Sequence, residues 1–225
     1  MVKVPCASEP VLIPTGENAL AGILELPRSP CGVVLFALGG GARLRALHSN
    51  AIAEQMRRAG LATLLLGLFL PDEDSADPQG AGIALAGTRL GMAADWLVTQ
   101  PETGELSLGV LGCGSAAAAA LQLAARRPEQ VAALASCGGR PDLAGADALA
   151  RLRAPTLLIV GEDDPALIEP NRRALDQIGG EKDLAVIRGA TQNFEKPETL
   201  REAARLAARW FRGYCGGPVR PPSEH

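Results

Sequence analysis

Hydrophobic residues along this chain follow two different patterns. Near the start, two short apolar segments, 11–14 and 20–26, flank Thr15-Gly16-Glu17-Asn18. Short apolar segments on either side of such a turn predict two antiparallel strands joined as a hairpin. From residue 32 onward, short and continuously apolar runs alternate with longer segments of helical period. This second pattern predicts βα units around a buried parallel sheet.

The predicted elements fill the chain to about residue 212. Strands are expected at 33–37, 62–66, 108–111, 131–135, 156–160 and 184–187. Helices are expected at about 50–59, 81–99, 115–126, 166–178 and 198–212. Together with the hairpin, these predict a single α/β domain, 1–212, with an eight-stranded, mostly parallel sheet and helices on both faces. The Gly- and Pro-rich segment 213–225 is predicted to be a flexible tail.

The composition excludes several classes of partner. The chain is 47% hydrophobic, 21% charged and only 3% aromatic, which is typical of a globular protein with an aliphatic core. Its net charge of -3, with both signs interspersed, predicts no contact with nucleic acid or an anionic membrane. No apolar run is long enough for a membrane span or a signal peptide, so we expect a cytoplasmic protein. Abundant alanine, and arginine in place of most lysine, indicate a bacterial origin.

The cysteines suggest neither a disulfide framework nor a metal site. Their number is odd, there is no C-x-x-C pair, and no histidine lies at ligand spacing. We therefore expect reduced thiols, no metal and no cofactor. The five residues are Cys6, Cys31, Cys113, Cys137 and Cys215.

The turn after the predicted strand 108–111 has the form of a nucleophile elbow. It reads Gly112-Cys113-Gly114-Ser115-Ala116 and opens an alanine-rich helix. The G-x-S-x-G elbow of α/β-hydrolases lies between a strand and a helix in the same way and uses small flanking residues for its sharp bend. Here the central residue is Gly114, which has no side chain to attack a carbonyl carbon.

Three blocks of the chain give it a resemblance to a known family. They are 57–66 (RRAGLATLLL), 138–143 (GGRPDL) and 153–161 (RAPTLLIVG). Over nearly its whole length the chain resembles the dienelactone hydrolase family of the α/β-hydrolase superfamily. The resemblance implies that Gly114 occupies the position of the catalytic serine, Asp164 that of the triad acid, and Gln192 that of the histidine. It also implies that Leu38 and Gly67 replace a histidine and an aspartate that are usual in relatives.

The histidine count supports the same conclusion without any resemblance. The chain has only His48 and His225, whereas a triad in this fold needs its histidine after the acid. His225 is the last residue of the predicted tail. The amide of Gln192 does not titrate near neutral pH and cannot act as a general base. Conventional serine hydrolase activity is therefore predicted to be absent.

Backbone groups of an oxyanion hole need no side chains. The glycine loop after the first parallel strand, represented by Gly40, and the N–H of Ser115 are predicted to supply two donors. Loss of one such donor costs about 3 kcal/mol of catalysis in known enzymes. A triple glycine at 39–41 is equally explained as a tight βα turn.

Other residues are candidate replacements for the missing groups. Ser115 becomes a nucleophile if the elbow shifts by one residue, with His48 as the only conceivable base, although a serine at a helix start more simply caps it. Cys113 and Cys137 end two strands that we expect to be neighbours, and thiols can be nucleophiles, but buried cysteine usually packs as a small hydrophobe. Asp164 is a candidate base or cation contact. Three arginines are candidate anion contacts: Arg43, Arg45 and Arg89.

Three classes of function fit these features. The first is a non-hydrolytic protein that keeps the pocket, either as a cofactor-independent lyase, isomerase or cyclase or as a binder of a small-molecule ligand. The second is a pseudoenzyme that acts through a protein partner. The third is an ester or lactone hydrolase that uses Ser115 or Cys113. A homo-oligomer is compatible with each of them.

Overall fold

Eight strands form one sheet in the computed structural model, which describes residues 6–16, 18–38, 42–69 and 81–217. The strands are β1 (Cys6–Thr15), β2 (Asn18–Pro27), β3 (Val33–Leu38), β4 (Ala62–Gly67), β5 (Leu108–Cys113), β6 (Val131–Cys137), β7 (Thr156–Gly161) and β8 (Lys182–Ile187). Their order across the sheet is β1-β2-β4-β3-β5-β6-β7-β8. β1 pairs with β2, and β2 with β4, in antiparallel fashion, whereas β3 to β8 are parallel. The predicted mostly parallel α/β sheet is confirmed.

The hairpin strands are longer than the apolar pattern indicated. β1 and β2 each span ten residues, and their ladder runs from Cys6↔Pro27 to Thr15↔Asn18. Most of β1 is exposed apart from Ile13, because it is an edge strand. Backbone pairing continues there without core-facing side chains, so the apolar pattern marks only the part of the hairpin that packs.

Helices cover both faces of the sheet. They are α1 (Ala42–Arg58), α2 (Ala81–Thr99), α3 (Ala116–Arg126), α4 (Ala146–Arg151), α5 (Pro165–Gln177) and α6 (Pro197–Cys215). One apolar layer packs the sheet against α2, α3, α4 and α5. A second layer packs the opposite face against α1 and α6. The inner parallel strands β3 to β7 are buried on both sides, which explains why they read as continuous apolar runs, whereas the edge strand β8 is largely exposed or half-buried.

Two helix boundaries differ from the prediction by three or more residues, and two short elements were not predicted. α1 begins at Ala42 instead of about residue 50. α6 continues to Cys215, three residues past the predicted end of the domain at 212, because the fully buried Cys215 packs in the same layer as Phe211 and outweighs the weak helix propensity of Gly213. A 3-10 turn at Pro141–Ala144 and the short helix α4 were not predicted, since segments of four and six residues are too short to show a helical period.

Among the described residues, we find no helix whose length and apolar character would let it cross a membrane.

Candidate active site

The turn between β5 and α3 has elbow geometry. Gly114 has a φ of 59°, in the left-handed region, while Ser115 has φ -67° and ψ -26°, as in a right-handed helix. A Cβ on Gly112 would lie 2.5 Å from the Cα atom of Ala117, so helix α3 crosses the end of its strand at close range. The apex of the bend is therefore Gly114, a conformation that glycine adopts without steric cost.

The loop after β6 packs against the elbow and hydrogen-bonds to it. The N–H of Arg140 donates to the carbonyl oxygen of Gly114 at 3.2 Å, and the N–H of Ala117 donates to the same oxygen at 3.3 Å. A Cβ on Gly139 would lie 2.5 Å from the Cβ of Ala117. Backbone atoms of this loop thus pack directly on the first turn of α3.

Arg140 holds that loop in shape through an ion pair within it. Its Nε and Nη2 atoms donate to the two carboxylate oxygens of Asp142 at 2.8 and 2.7 Å. The hydrogen bond from Arg140 lowers the pKa of Asp142. The pair was not predicted, although Arg-x-Asp in a short loop is a recognisable signal for it.

The predicted acid, Asp164, lies just after β7, at the N-cap position of α5. It is partly buried, and its side chain makes no capping hydrogen bond. Its neighbours tie this turn to the segment after β8: the N–H of Asp163 donates to the carbonyl oxygen of Ala190 at 2.9 Å, and the N–H of Gly189 donates to the carboxylate of Glu162 at 3.1 Å.

Gln192 lies in the loop between β8 and α6, and the residue is exposed. Its carbonyl oxygen rests against Gly138, where an added Cβ would lie 2.1 Å from that oxygen. Farther along the loop, the buried Phe194 adopts a φ of 51°, a conformation uncommon for a non-glycine residue. Gly114, Asp164 and Gln192 therefore follow β5, β7 and β8 at one edge of the sheet, and the loop 138–140 contacts both the first and the last of them.

Cys113 and Cys137 are register partners at the ends of β5 and β6, so the predicted neighbour relation is confirmed. On its other side Cys113 pairs with Leu38, which in turn pairs with Gly67. Burial raises the pKa of the Cys137 thiol well above its usual range, and the nearby Cys113 adds to the effect. None of the five cysteines forms a disulfide in this structure.

Several other predicted residues lie outside the site or outside the described residues. Gly40 and His225 fall outside the described ranges, as do the side chains of Arg43, Arg45 and His48. Arg89 is only 6% exposed, and its Nη1 donates to the carbonyl oxygen of Leu68 at 2.8 Å, so it supports the segment after β4. Ser115 occupies the N-cap position of α3, but its hydroxyl makes no capping hydrogen bond.

A surface depression of about 550 Å³ lies elsewhere, between the second half of α3 and α4. Its lining, which includes Gln122, Arg126, Asp147 and Arg151, contains none of the predicted site residues. We place the candidate site at the strand ends because ligands of open α/β sheets bind outside the carboxyl ends of the strands. Within the described part of the chain, no three His, Cys, Asp or Glu side chains are grouped as metal ligands would be.

Comparison with solved structures gives a close match over the whole domain. The crystal structure of a dienelactone hydrolase from Anabaena variabilis is 41% identical, with a TM-score of 0.87 over 93% of this chain and 99% of that one. Est1E from Butyrivibrio proteoclasticus is 15% identical, with a TM-score of 0.74 over 88% of this chain and 96% of its own, and shares the fold.

Among curated proteins, a Mycobacterium tuberculosis protein provisionally named a phosphoribosyl transferase is 42% identical over 214 residues, in each of two strains. The match covers 95% of this chain but 48% of that protein, so the chain spans about half the length of the curated relatives. No protein-family model matches the chain.

Proposed function

Because the chain belongs to the dienelactone hydrolase family and has glycine at its elbow, we propose that it binds a small molecule there without hydrolysing it through a serine nucleophile. The observation that carries this proposal is the left-handed φ of 59° at Gly114. The bend that presents a nucleophile is kept, while the residue at its apex has no side chain. The predicted loss of the triad serine and histidine, at Gly114 and Gln192, is part of the same proposal.

Backbone donors at the start of α3 give the site its binding chemistry. The first N–H groups of a helix have no acceptor within the helix, and the N–H groups of Ala117 and Ala118 already donate to the carbonyl oxygens of Gly114 and Ser115. The N–H groups of Ser115 and Ala116 thus lie at the positive end of an 11-residue helix. Such donors suit a carboxylate, an enolate or a polarised carbonyl.

The chemistry that follows binding is of the non-hydrolytic kind. Donors that stabilise an enolate oxygen are what a cofactor-independent lyase, isomerase or cyclase requires. Asp164, beside Glu162 and Asp163 in the turn after β7, is the candidate general base of this proposal. Ser115 is disfavoured as a nucleophile because its right-handed conformation makes it the first residue of the helix turn, one position past the apex. Cys113 precedes the apex as the last residue of β5.

Two variants of matched shape test binding at the elbow. Phenylacetate is expected to shift the amide ¹H and ¹⁵N signals of Ser115 and Ala116 in the natural chain, while the neutral phenylacetamide does so far less.

Gly114→Asp places a negative charge beside the donors, and Gly114→Asn has the same shape without charge. Like charges at about 4 Å repel by up to about 4 kcal/mol at a protein surface, and tenfold in Kd requires about 1.4 kcal/mol. We expect Gly114→Asp to bind phenylacetate at least about tenfold more weakly than Gly114→Asn does.

Equal affinities of the two variants would argue against anion binding at the elbow. Aspartate and asparagine both tolerate positive φ better than most residues. Thermal unfolding of each variant establishes that the comparison is made between folded proteins.

A second function, association with a protein partner, is favoured by exposed apolar side chains on α2. The part of each curated relative that lies outside the match, about half of its length, is a candidate partner. On this chain, Leu85 and Met92 of α2 are more than a third exposed and lie seven residues apart on one helix stripe, which gives such a partner an apolar contact.

The unmatched half of the Mycobacterium tuberculosis protein provides a defined partner for this test. We expect it to sediment together with this chain in analytical ultracentrifugation at about 10–100 μM, in the affinity range of transient complexes. Met92→Glu should weaken the complex, while Leu12→Glu should not, because Leu12 lies on the face of β1 opposite to Ile13 and the α2 layer. Independent sedimentation of the two proteins at these concentrations would remove this second function.

A further inference from the structure

Cys113 and Cys137 are placed as a disulfide requires. They are register partners on neighbouring parallel strands, and adjacent strands lie about 4.8 Å apart. Disulfides join Cα atoms that are roughly 4.4–6.8 Å apart. Both side chains pack against the same apolar layer, on the α1 and α6 face of the sheet, so the two sulfur atoms lie on the same side.

The backbone after each cysteine allows the small approach that bond formation needs. The Cβ atoms of a disulfide are about 3.8 Å apart, slightly closer than the strand spacing. Cys113↔Cys137 is the last pair of this ladder, and each cysteine is followed by a glycine in the left-handed region, Gly114 at 59° and Gly138 at 56°. The two strands separate and turn immediately after this pair. Backbone pairing between β5 and β6 therefore restrains the two cysteines only from the preceding residues.

The two thiols differ in exposure. Cys113 is partly exposed at the edge of the candidate site, whereas Cys137 is 6% exposed. An oxidant from solution therefore meets Cys113 first, and Cys137 lies behind it as the second thiol. Reactive cysteines with a neighbouring resolving cysteine have this arrangement.

We propose that Cys113 and Cys137 form a redox-active dithiol, which a hydroperoxide converts to a disulfide beside the elbow. The Cys113 thiolate attacks one peroxide oxygen and breaks the O–O bond, giving a sulfenic acid and, with one proton, water in the case of hydrogen peroxide. The Cys137 thiolate then attacks the Cys113 sulfur, forms the S–S bond and releases hydroxide, which becomes a second water. In sum, two thiols lose two electrons and two protons, and hydrogen peroxide is reduced to two water molecules.

The second step depends on pH. Burial raises the pKa of Cys137 above its usual range, so little thiolate is present at neutral pH and more appears as the pH rises. We expect disulfide formation from the sulfenic acid to accelerate between about pH 7 and pH 9, because the thiolate is the attacking species.

The test uses the complete reduced chain treated with hydrogen peroxide, followed by alkylation and peptide mass spectrometry. We expect a linked peptide pair containing Cys113 and Cys137, with the loss of two hydrogens, and its reversal by dithiothreitol. Cys137→Ser should leave a sulfenic acid at Cys113 that dimedone traps, and Cys113→Ser should abolish both products.

A second thiol pair in the chain serves as the matched control. Cys31 and Cys215 are also close together, since Cys31 contributes to the raised pKa of about 12 that burial gives Cys215. A Cys31→Ser, Cys215→Ser variant should form the Cys113–Cys137 disulfide as readily as the natural chain. The proposal is wrong if peroxide links only Cys31 and Cys215, or if Cys113 in the natural chain proceeds to sulfinic acid without forming a link to Cys137. Because the readout is a covalent bond, these outcomes are distinct from a failure of ligand binding at the elbow.

Discussion

Gly114→Ser combined with Gln192→His is expected to produce esterase activity in a chain that we expect to have none above buffer background. Gly114 already has the left-handed φ of 59° at the apex of the elbow, and Asp164 lies after β7 at the proposed acid position. General base catalysis contributes about 10²- to 10⁴-fold to rate. We therefore expect hydrolysis of p-nitrophenyl acetate to rise at least about a hundredfold over the natural chain.

Single variants and a third substitution show whether the new groups act together. Gly114→Ser or Gln192→His alone should remain near background, because triad groups act as a unit. Adding Asp164→Asn to the active double variant should lower kcat again, since the acid orients the histidine. Serine at a left-handed position costs about 1–2 kcal/mol, so urea unfolding is needed to establish that the double variant is folded. A folded double variant with background activity would contradict the proposed triad positions.

Gly138→Ala is expected to lower the free energy of unfolding by about 3 kcal/mol. Its φ of 56° adds roughly 1–2 kcal/mol of backbone strain for any residue with a Cβ. The new Cβ would also lie 2.1 Å from the carbonyl oxygen of Gln192, a backbone atom that can move only with its whole loop. Overpacking of this kind costs about 1–3 kcal/mol. Urea unfolding followed by circular dichroism measures the sum.

Gly189→Ala separates the two contributions. Gly189 has a similar φ of 64°, but the nearest atom to its added Cβ is the flexible Nζ of Lys196 at 3.7 Å. The free energy of unfolding of the Gly189→Ala variant should fall only by the cost of backbone strain, about 1–2 kcal/mol. If both variants lose the same free energy, the contact between Gly138 and the Gln192 loop does not contribute to stability in the way the structure indicates.

Predictions of whole elements succeeded wherever a long apolar pattern was present. Strands β3 to β7 appear as continuous apolar runs because they are covered on both faces, and the prediction placed these five and the edge strand β8 in the correct part of the chain. Two short elements were not predicted. Pro141–Ala144 and α4 each contain less than two helical turns, which is too short to show a helical period. The end of α6 was placed too early because a glycine weakens local helix propensity, while burial of Cys215 is a tertiary effect.

At the candidate site, chain order indicated that Gly114, Asp164 and Gln192 each follow a strand of one parallel sheet, with a further strand between the first two. The histidine count and the glycine at the elbow are properties of the sequence and need no structure. The supporting contacts could not be predicted in this way. The hydrogen bond from Arg140 to Gly114 and the contact of Gly138 with Gln192 join backbone atoms of loops far apart in the chain.

The sequence by itself determined the class of fold and the glycine at the centre of the elbow motif, because periodicity and residue identity are local properties. Only the tertiary structure decided that the left-handed bend is at Gly114, and that Cys113 and Cys137 share one face at the ends of their strands. Backbone conformation at a single residue and the register between strands depend on packing by distant segments. Those packing interactions carry no signature in the residues immediately around the elbow.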